Sequence, residues 1–433
     1  MQAAISIVFL ILFLFIINKW KFFNNPWVSV KELKGVFIIK VIVGFLLFWV
    51  YTNHYSGIKY SRQDADIFKY FDDSKIIHHA LTEKPIDFVK IILSLDNDEN
   101  YFSSQYYINM NHWDNHYNSH FFNDARVIIK INAIIRVFSF GNYYVHILCF
   151  CFIGFTGIFA LFKAFASFLK NKEKLLFYAL MLTPSILFWS SGVLKEPIML
   201  YCIGFSLFYI TKPFSKKIKL FRVLNFSLCL ITLFFLKFYL FSILAILTLP
   251  FLINYHFKIK KPLIPYLACL AFFGVSSLFI SQLNPKLNIL ELIDSKQENF
   301  ISETKYKNAG SYFEITNIEP TALSIIKTVP EGLFNSLTRP FIWNINSTVQ
   351  VPAVIENILF IFLIGLAIHH YLKTSTIKPP TNFILFCLFF TLITFSLIGI
   401  ITPVSGALVR YKIAALPFLI VLIISGITIK KVK

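Results

Sequence analysis

The chain of 433 residues is 57% hydrophobic and 18% aromatic, whereas only 15% of its residues are charged, and its mean hydropathy is +0.67. This composition excludes a soluble globular domain and a disordered chain. The net charge of +19 does not indicate nucleic-acid binding, because the basic residues lie in short runs between apolar segments and not on one soluble face. The sequence therefore predicts an all-α polytopic membrane protein.

Eleven apolar segments are candidate transmembrane helices, since crossing the hydrocarbon core takes roughly 20 helical residues. They cover residues 2–18, 36–51, 144–162, 175–190, 197–211, 221–236, 239–255, 263–281, 352–368, 382–400 and 413–429. The predicted organisation is two N-terminal helices (1–51), a first long loop (52–143), helices three to eight (144–281), a second long loop (282–351) and helices nine to eleven (352–433).

The distribution of basic residues predicts the orientation of these helices. One set of connections, beginning with residues 19–40, holds 22 of the 41 Lys and Arg residues but only two acids. The alternate set contains both long loops and holds as many acids as bases. Because positive residues are retained in the cytoplasm, we expect both long loops and the N-terminus outside the cell and the C-terminus inside, in the inner (plasma) membrane.

The first long loop concentrates titratable groups, with 11 of the 22 acids and six of the ten His residues. Apolar and charged residues alternate at near-helical spacing over 66–79, 85–93 and 126–140, which predicts amphipathic helices that lie along the membrane interface. His112, His116 and His120 are spaced to share one helix face and bind a transition metal. Five nearby Asn residues oppose helix formation, so a polar loop is the favoured interpretation.

Asp64-Ala-Asp66 follows the second predicted span directly. Two such carboxylates can chelate a divalent cation such as Mg²⁺ or Mn²⁺, or one can act as a general base while the other orients it. Arg62 lies beside the pair as a supporting residue. A solvated helix N-terminus also explains acids at this position, since they suit the helix dipole.

Positive residues on the outer side form the second group of candidates. Lys195-Glu196 lies in a tight turn between two spans, where charges are functional candidates or an ion pair that ends a helix. Positive residues are usually retained on the cytoplasmic side, but three of them are predicted on the outer side, namely Arg339, Arg410 and Lys412. Binding of a phosphate or diphosphate would explain their position. For Lys237, contact with lipid phosphates is the favoured interpretation.

All six Cys residues fall in predicted spans and are interpreted as small apolar packing residues.

The order of Asp64-Ala-Asp66, the outer turn from Pro184 to Glu196 and Arg410 near the last span resembles the GT-C superfamily of polytopic membrane glycosyltransferases. The acidic loop follows the second span here, whereas the family usually places it after the first. More loosely, the chain also resembles O-antigen polymerases and related repeat-unit polymerases, which rely on outer Arg residues.

The GT-C resemblance implies a polyprenyl-phosphate-linked sugar donor and a glycan, lipid or protein acceptor, in the synthesis of cell-surface polysaccharide or glycoconjugate. Asp66 would be the base, with Asp64 as its orienting or metal-binding partner. Phosphate binding would fall to Lys195, Arg339, Arg410 and Lys412, with Glu196 in support. A flippase for lipid-linked sugars is the alternative of another class, although no internal repeat is evident.

Overall fold

The structure is a computed structural model, and it describes residues 2–53, 65–113, 124–211, 220–284, 288–306, 308–345, 347–373 and 380–427. Across these residues the secondary structure is helical, with no strand and one isolated bridge between Tyr312 and Val404. The prediction of an all-α protein is confirmed for this part of the chain.

The helices follow one another closely along the chain. In order they are α1 (Gln2–Lys19), α2 (Val30–Asn53), α3 (Asp66–Glu83), α4 (Pro85–Leu93), α5 (Glu99–Gln105), α6 (Asp124–Ser139), α7 (Tyr143–Ala166), α8 (Glu173–Leu182), α9 (Pro184–Trp189), α10 (Lys195–Thr211), α11 (Leu220–Leu236), α12 (Phe238–Phe257), α13 (Leu263–Leu283), α14 (Ile289–Tyr306), α15 (Ala322–Thr338), α16 (Val351–Lys373), α17 (Thr381–Ile401), α18 (Ser405–Tyr411) and α19 (Leu416–Gly426). Short 3₁₀ turns cover Lys21–Phe23, Tyr107–Asn109, Ile342–Asn344, Thr348–Gln350 and Lys412–Ala414.

Seven helices of the described chain are long and apolar enough to cross a membrane: α1, α2, α7, α12, α13, α16 and α17. An eighth is counted if the pair Ser405–Ala414 and Leu416–Gly426, bent by 68°, forms one broken span. The other predicted spans correspond to α8, α9, α10 and α11, which are shorter than 18 residues. Pro184 explains one such break, because the residue before a proline disfavours helical backbone. A multi-pass membrane protein is therefore supported with seven or eight candidate spans, and the orientation stays a prediction.

The chain forms two compact units, Met1–Ala164 with Leu187–Tyr239, and Phe165–Ile186 with Leu240–Lys433. In the first unit α3 and α6 pack together, and the apolar face of α3 is buried, including Ile67, Phe68 and Phe71. Protein packing, and not the membrane interface, thus accounts for the amphipathic pattern of α3. The short helix α4 differs, because Ile86 and Leu93 remain 70% and 61% exposed.

In the second unit α15 and α17 cross at backbone contact. A Cβ atom added to Gly399 would lie 1.8 Å from the carbonyl oxygen of Gly332. Small residues permit this approach between helices in membranes, where packing drives association. The two glycines therefore fix the crossing.

Replacing Gly399 by Leu is expected to lower stability by about 2 kcal/mol or more, because the added side chain overlaps backbone that cannot move away easily. The midpoint of thermal unfolding in detergent measures this loss. Gly365→Leu is the matched control, since a Cβ there meets nothing within 4 Å. Equal midpoints for the two variants would contradict the assigned crossing.

Candidate functional site

Asp66 lies at the start of α3, where the helix dipole favours a carboxylate. Its Oδ1 atom is 2.6 Å from the ammonium of Lys69 and accepts a hydrogen bond of 3.4 Å from the Tyr70 hydroxyl. The carboxylate is 25% exposed, so part of it is accessible to solvent. The position of Asp66 is compatible with both interpretations of its sequence pattern. One is an acid that suits the N-terminus of a helix, and the other is an accessible general base.

Asp124 forms the second acidic centre of the first unit. It begins α6, and its two oxygens lie 2.6 Å from the Lys195 ammonium and 3.3 Å from the Lys237 ammonium. Lys195 is the first residue of α10, and Lys237 lies between α11 and α12. Three distant segments thus meet at one carboxylate. Lys237 was assigned to lipid phosphates from the sequence, but its ammonium lies beside Asp124.

Tyr70 joins the two acidic centres. The Lys195 ammonium lies 5.2 Å from the centre of the Tyr70 ring, whose hydroxyl reaches Asp66. We call Asp66, Lys69, Tyr70, Asp124, Lys195 and Lys237 the charged cluster. Its three lysines and two aspartates leave one net positive charge, which suits a negatively charged ligand.

The electrostatics of the cluster distinguish its two acids. Burial acts to raise the pKa of Asp124, but the charges and hydrogen bonds of Lys195 and Lys237 outweigh it and hold this pKa well below its usual range. A carboxyl group with so low a pKa is a poor base at neutral pH. Asp124 therefore serves to hold the two lysines in place.

Residues of α2 and α7 contact the turn that precedes Lys195. The Lys40 ammonium donates a 2.5 Å hydrogen bond to the Ser190 hydroxyl, and the Cys151 thiol donates to the Ser191 carbonyl at 3.1 Å. Added Cβ atoms at Gly44 and Gly154 would each lie less than 3 Å from carbonyl oxygens of this turn. These contacts fix the backbone that leads into α10.

Lys40 itself is 1% exposed and lies ten residues after the start of α2. Charged side chains at such a depth in a span are costly and are functional candidates by default. The sequence predicts Lys40 near the end of a span over residues 36–51, whereas the structure begins this helix at Val30.

Of the other predicted site residues, Glu196 is buried at 3% exposure in the first turn of α10. Arg339, Arg410 and Lys412 belong to the second unit. Lys412 is 2% exposed and donates a hydrogen bond to the side chain of Asn357. The Asn357 amide in turn donates to the carbonyl of Arg339 at 2.6 Å, so one asparagine connects two of the predicted phosphate ligands. Arg410 is partly exposed.

Several predictions fall on residues 54–64 and 114–123, outside the described part of the chain. They concern Arg62, Asp64, His116 and His120. His112 is described, and its backbone N–H donates to Asp73 at 2.9 Å. Among the described residues no group of three His, Cys, Asp or Glu side chains is placed to hold a metal. The cation at Asp64 and Asp66 stays a prediction, because only one of its two ligands is described.

The sequence reading missed Asp124, Lys69 and Tyr70. Asp124 carried a weak signal, since it directly precedes the amphipathic segment 126–140 as an acid in a first helical turn. Its partners lie more than 70 residues away in the chain, so spacing alone did not reveal them.

No family model, no curated protein and no solved structure matches this chain. The resemblance to GT-C enzymes therefore has no support from these comparisons.

Proposed function

We propose that the protein is an integral membrane glycosyltransferase that transfers a sugar from a lipid-phosphate-linked donor to an acceptor on the non-cytoplasmic face. The observation that carries the proposal is the charged cluster. It gathers a reachable carboxylate and three ammonium groups from separate segments, next to helices apolar enough to span a membrane. Such a combination suits acid–base chemistry beside an anionic leaving group.

In the proposed reaction Asp66 takes the proton of the acceptor hydroxyl. The acceptor oxygen forms a bond to the anomeric carbon, and the bond from that carbon to the phosphate oxygen breaks. The lipid phosphate leaves with the electron pair, and the positive charge of the cluster stabilises it. Asp66 is the better base of the two aspartates in the charged cluster. The two lysines beside Asp124 lower its pKa, so that its carboxylate accepts a proton less readily.

Asp64 remains a partner or an alternative base in this proposal. A divalent cation, if bound by Asp64 and Asp66, would add charge stabilisation to the leaving phosphate. Arg410, Lys412 and Glu196 stay proposed contributors to phosphate binding or its support.

A flippase for lipid-linked sugars is the second candidate, and Lys40 is the observation that favours it. Transporters place charged groups near the bilayer midplane, and Lys40 is buried well inside α2. The charged cluster favours transfer over transport, because none of its residues lies within a candidate span, where transporters place their charged sites. A repeat-unit polymerase would use the same chemistry with a longer donor.

The deciding experiment uses the purified full-length protein in lipid vesicles, with radiolabelled sugars on polyprenyl phosphate and on polyprenyl diphosphate as donors, and with glycan, lipid and protein acceptors supplied in turn. Release of unloaded carrier and label in a new glycoside, without any other enzyme, is the expected result. Donor that crosses the bilayer intact with no new glycoside would overturn the proposal in favour of transport. Repeating the assay with EDTA tests the predicted cation.

A further inference from the structure

Arg339 lies close to two aromatic rings in the second unit. Its guanidinium carbon is 3.9 Å from the centre of the Phe313 ring and 4.8 Å from that of Phe341. Its Nε atom donates a 2.8 Å hydrogen bond to Oδ1 of Asn335, one turn earlier. The two ring contacts and this bond restrict the orientation of the guanidinium, and the backbone carbonyl of Arg339 accepts from the Asn357 amide.

Among the described residues, the terminal nitrogens of this guanidinium donate no hydrogen bond, and no carboxylate lies within 4 Å of them. Glu331 interacts with Arg339 by long-range electrostatic attraction and not by a hydrogen bond. One of its carboxylate oxygens accepts a hydrogen bond from the Thr316 backbone N–H. A partly buried arginine usually pairs with a carboxylate or a phosphate, because its fork of donors matches two acceptor oxygens. The terminal nitrogens of the Arg339 guanidinium are therefore available to bind a ligand.

Asn335 provides a second donor at the same place. The residue is 2% exposed, and its Nδ2 atom has no hydrogen-bond partner among the residues described. The bond from Arg339 identifies the other amide atom as oxygen, so the orphan is a donor. Leaving such a buried donor unsatisfied is energetically unfavourable, and a ligand oxygen beside the guanidinium would satisfy it.

The surroundings indicate that the ligand carries a lipid chain. Phe334, Ile342 and Trp343 are 55%, 61% and 77% exposed, and the Trp343 ring stacks on Phe341 at 4.9 Å. The candidate span that contains α16 begins at Thr348, a few residues after Trp343. Exposed aromatic and aliphatic side chains at this point are typical of the membrane interface. They would contact the first part of a lipid tail.

We propose that Arg339 and Asn335 form a binding site for the phosphate of a lipid headgroup, framed by Phe313 and Phe341. The two terminal nitrogens of Arg339 bind two phosphate oxygens, and Nδ2 of Asn335 binds one of them as well. The site adds Asn335 to the residues predicted from the sequence. It is defined by binding and does not rest on the proposed sugar transfer.

The test measures binding of farnesyl phosphate to the full-length protein in phosphatidylcholine nanodiscs, by calorimetry. Farnesol and inorganic phosphate are the comparison ligands, since each carries only half of the proposed chemistry. We expect binding of farnesyl phosphate, and affinities at least tenfold lower for both comparison ligands. Equal binding of farnesol would overturn the phosphate contact, and equal binding of inorganic phosphate would overturn the lipid part.

Two variants assign the binding to these residues. Arg339→Lys keeps the charge but loses the fork, and Asn335→Asp keeps the acceptor for Arg339 but replaces the donor. Each is expected to weaken farnesyl phosphate binding by about tenfold or more, as for the loss of one charge-assisted hydrogen bond. Lys327→Gln, which removes an exposed charge from α15 two turns away, is the control and should bind like the native protein. Native affinity in both site variants would overturn the proposal.

Misfolding is separated from lost binding by the thermal unfolding midpoint in the same nanodiscs. Asn335→Asp keeps the number of side-chain heavy atoms and is expected to keep the native midpoint within a few degrees. A loss of sugar transfer with farnesyl phosphate binding intact would count against the proposed reaction and leave this site standing. The reverse result, transfer with no binding at Arg339, would remove this site alone.

Discussion

Replacing Asp66 by Asn is expected to lower the rate of sugar transfer by about 10²- to 10⁴-fold, the contribution of a general base. The amide keeps the size of the side chain and can still accept from Tyr70, but it cannot take a proton from the acceptor hydroxyl. Because the carboxylate is 25% exposed and pairs with Lys69 of the same helix, the fold is expected to tolerate the change. Initial rates with saturating donor in vesicles measure the effect.

Glu83→Gln is the matched control for this prediction. It removes a carboxylate from the last turn of the same helix, where Glu83 pairs only with the exposed His79 at 3.4 Å. The control should transfer sugar at the native rate. A native rate in Asp66→Asn as well would remove Asp66 from the reaction, and Asp64→Asn would then test the remaining acid of the predicted pair.

The positions of the membrane helices were predictable because long apolar runs carry their own signal. Each predicted segment overlaps helix in the described part of the chain, including 144–162 within α7 and 382–400 within α17. The number of spans was less predictable. The segment 175–190 is apolar throughout, yet Pro184 divides it into α8 and α9, and neither half is long enough to cross.

The amphipathic segments of the first loop show where periodicity is ambiguous. The same pattern arises from a helix on a membrane and from a helix against protein. Phe71 of α3 is covered by Arg136 of α6, whose guanidinium lies 4.1 Å from the ring, and the sequence contained no sign of this pairing. The exposed apolar side chains that an interfacial helix requires remain on α4, at Ile86 and Leu93, and on α6, at Ile134, Val137 and Phe138.

The candidate site was predictable by residue type but not by partner. Lys195 and Lys237 stood out as charges at helix ends, but their shared acid lies in another segment of the chain. Asn335 carried no signal at all, because an asparagine within a helix is common and its orphaned donor exists only in the folded protein. Pairings of this kind depend on tertiary contacts over long sequence separations.

Replacing Asp124 by Asn is expected to lower both stability and sugar transfer. Lys195 and Lys237 would then face each other without their shared carboxylate, and removing one partner of a largely buried ion pair costs about 2–4 kcal/mol. The three side chains are 13–28% exposed, so solvent screens the repulsion only in part. The unfolding midpoint in detergent and the transfer rate measure the two effects.

A double-mutant cycle with Lys195→Met separates the ion pair from general damage. If the contact is direct, the combined variant should be more stable than the sum of the single losses, with a coupling energy of about 1–3 kcal/mol. Transfer should not recover in the combined variant, because Lys195 is needed for the leaving phosphate. Additive losses of stability would show that the two residues do not interact.

The pH dependence gives an independent check on the same pair. The pKa of Asp124 lies below its usual range in the folded protein because of the two lysines, despite the opposing effect of burial. Its contribution to stability is therefore fully present above the unfolded pKa of about 3.9 and is lost as the pH falls below that value. Native protein should lose stability more steeply than Asp124→Asn between about pH 4 and pH 2. Parallel curves for the two proteins would mean that Asp124 has an ordinary pKa and that the lysines lie elsewhere.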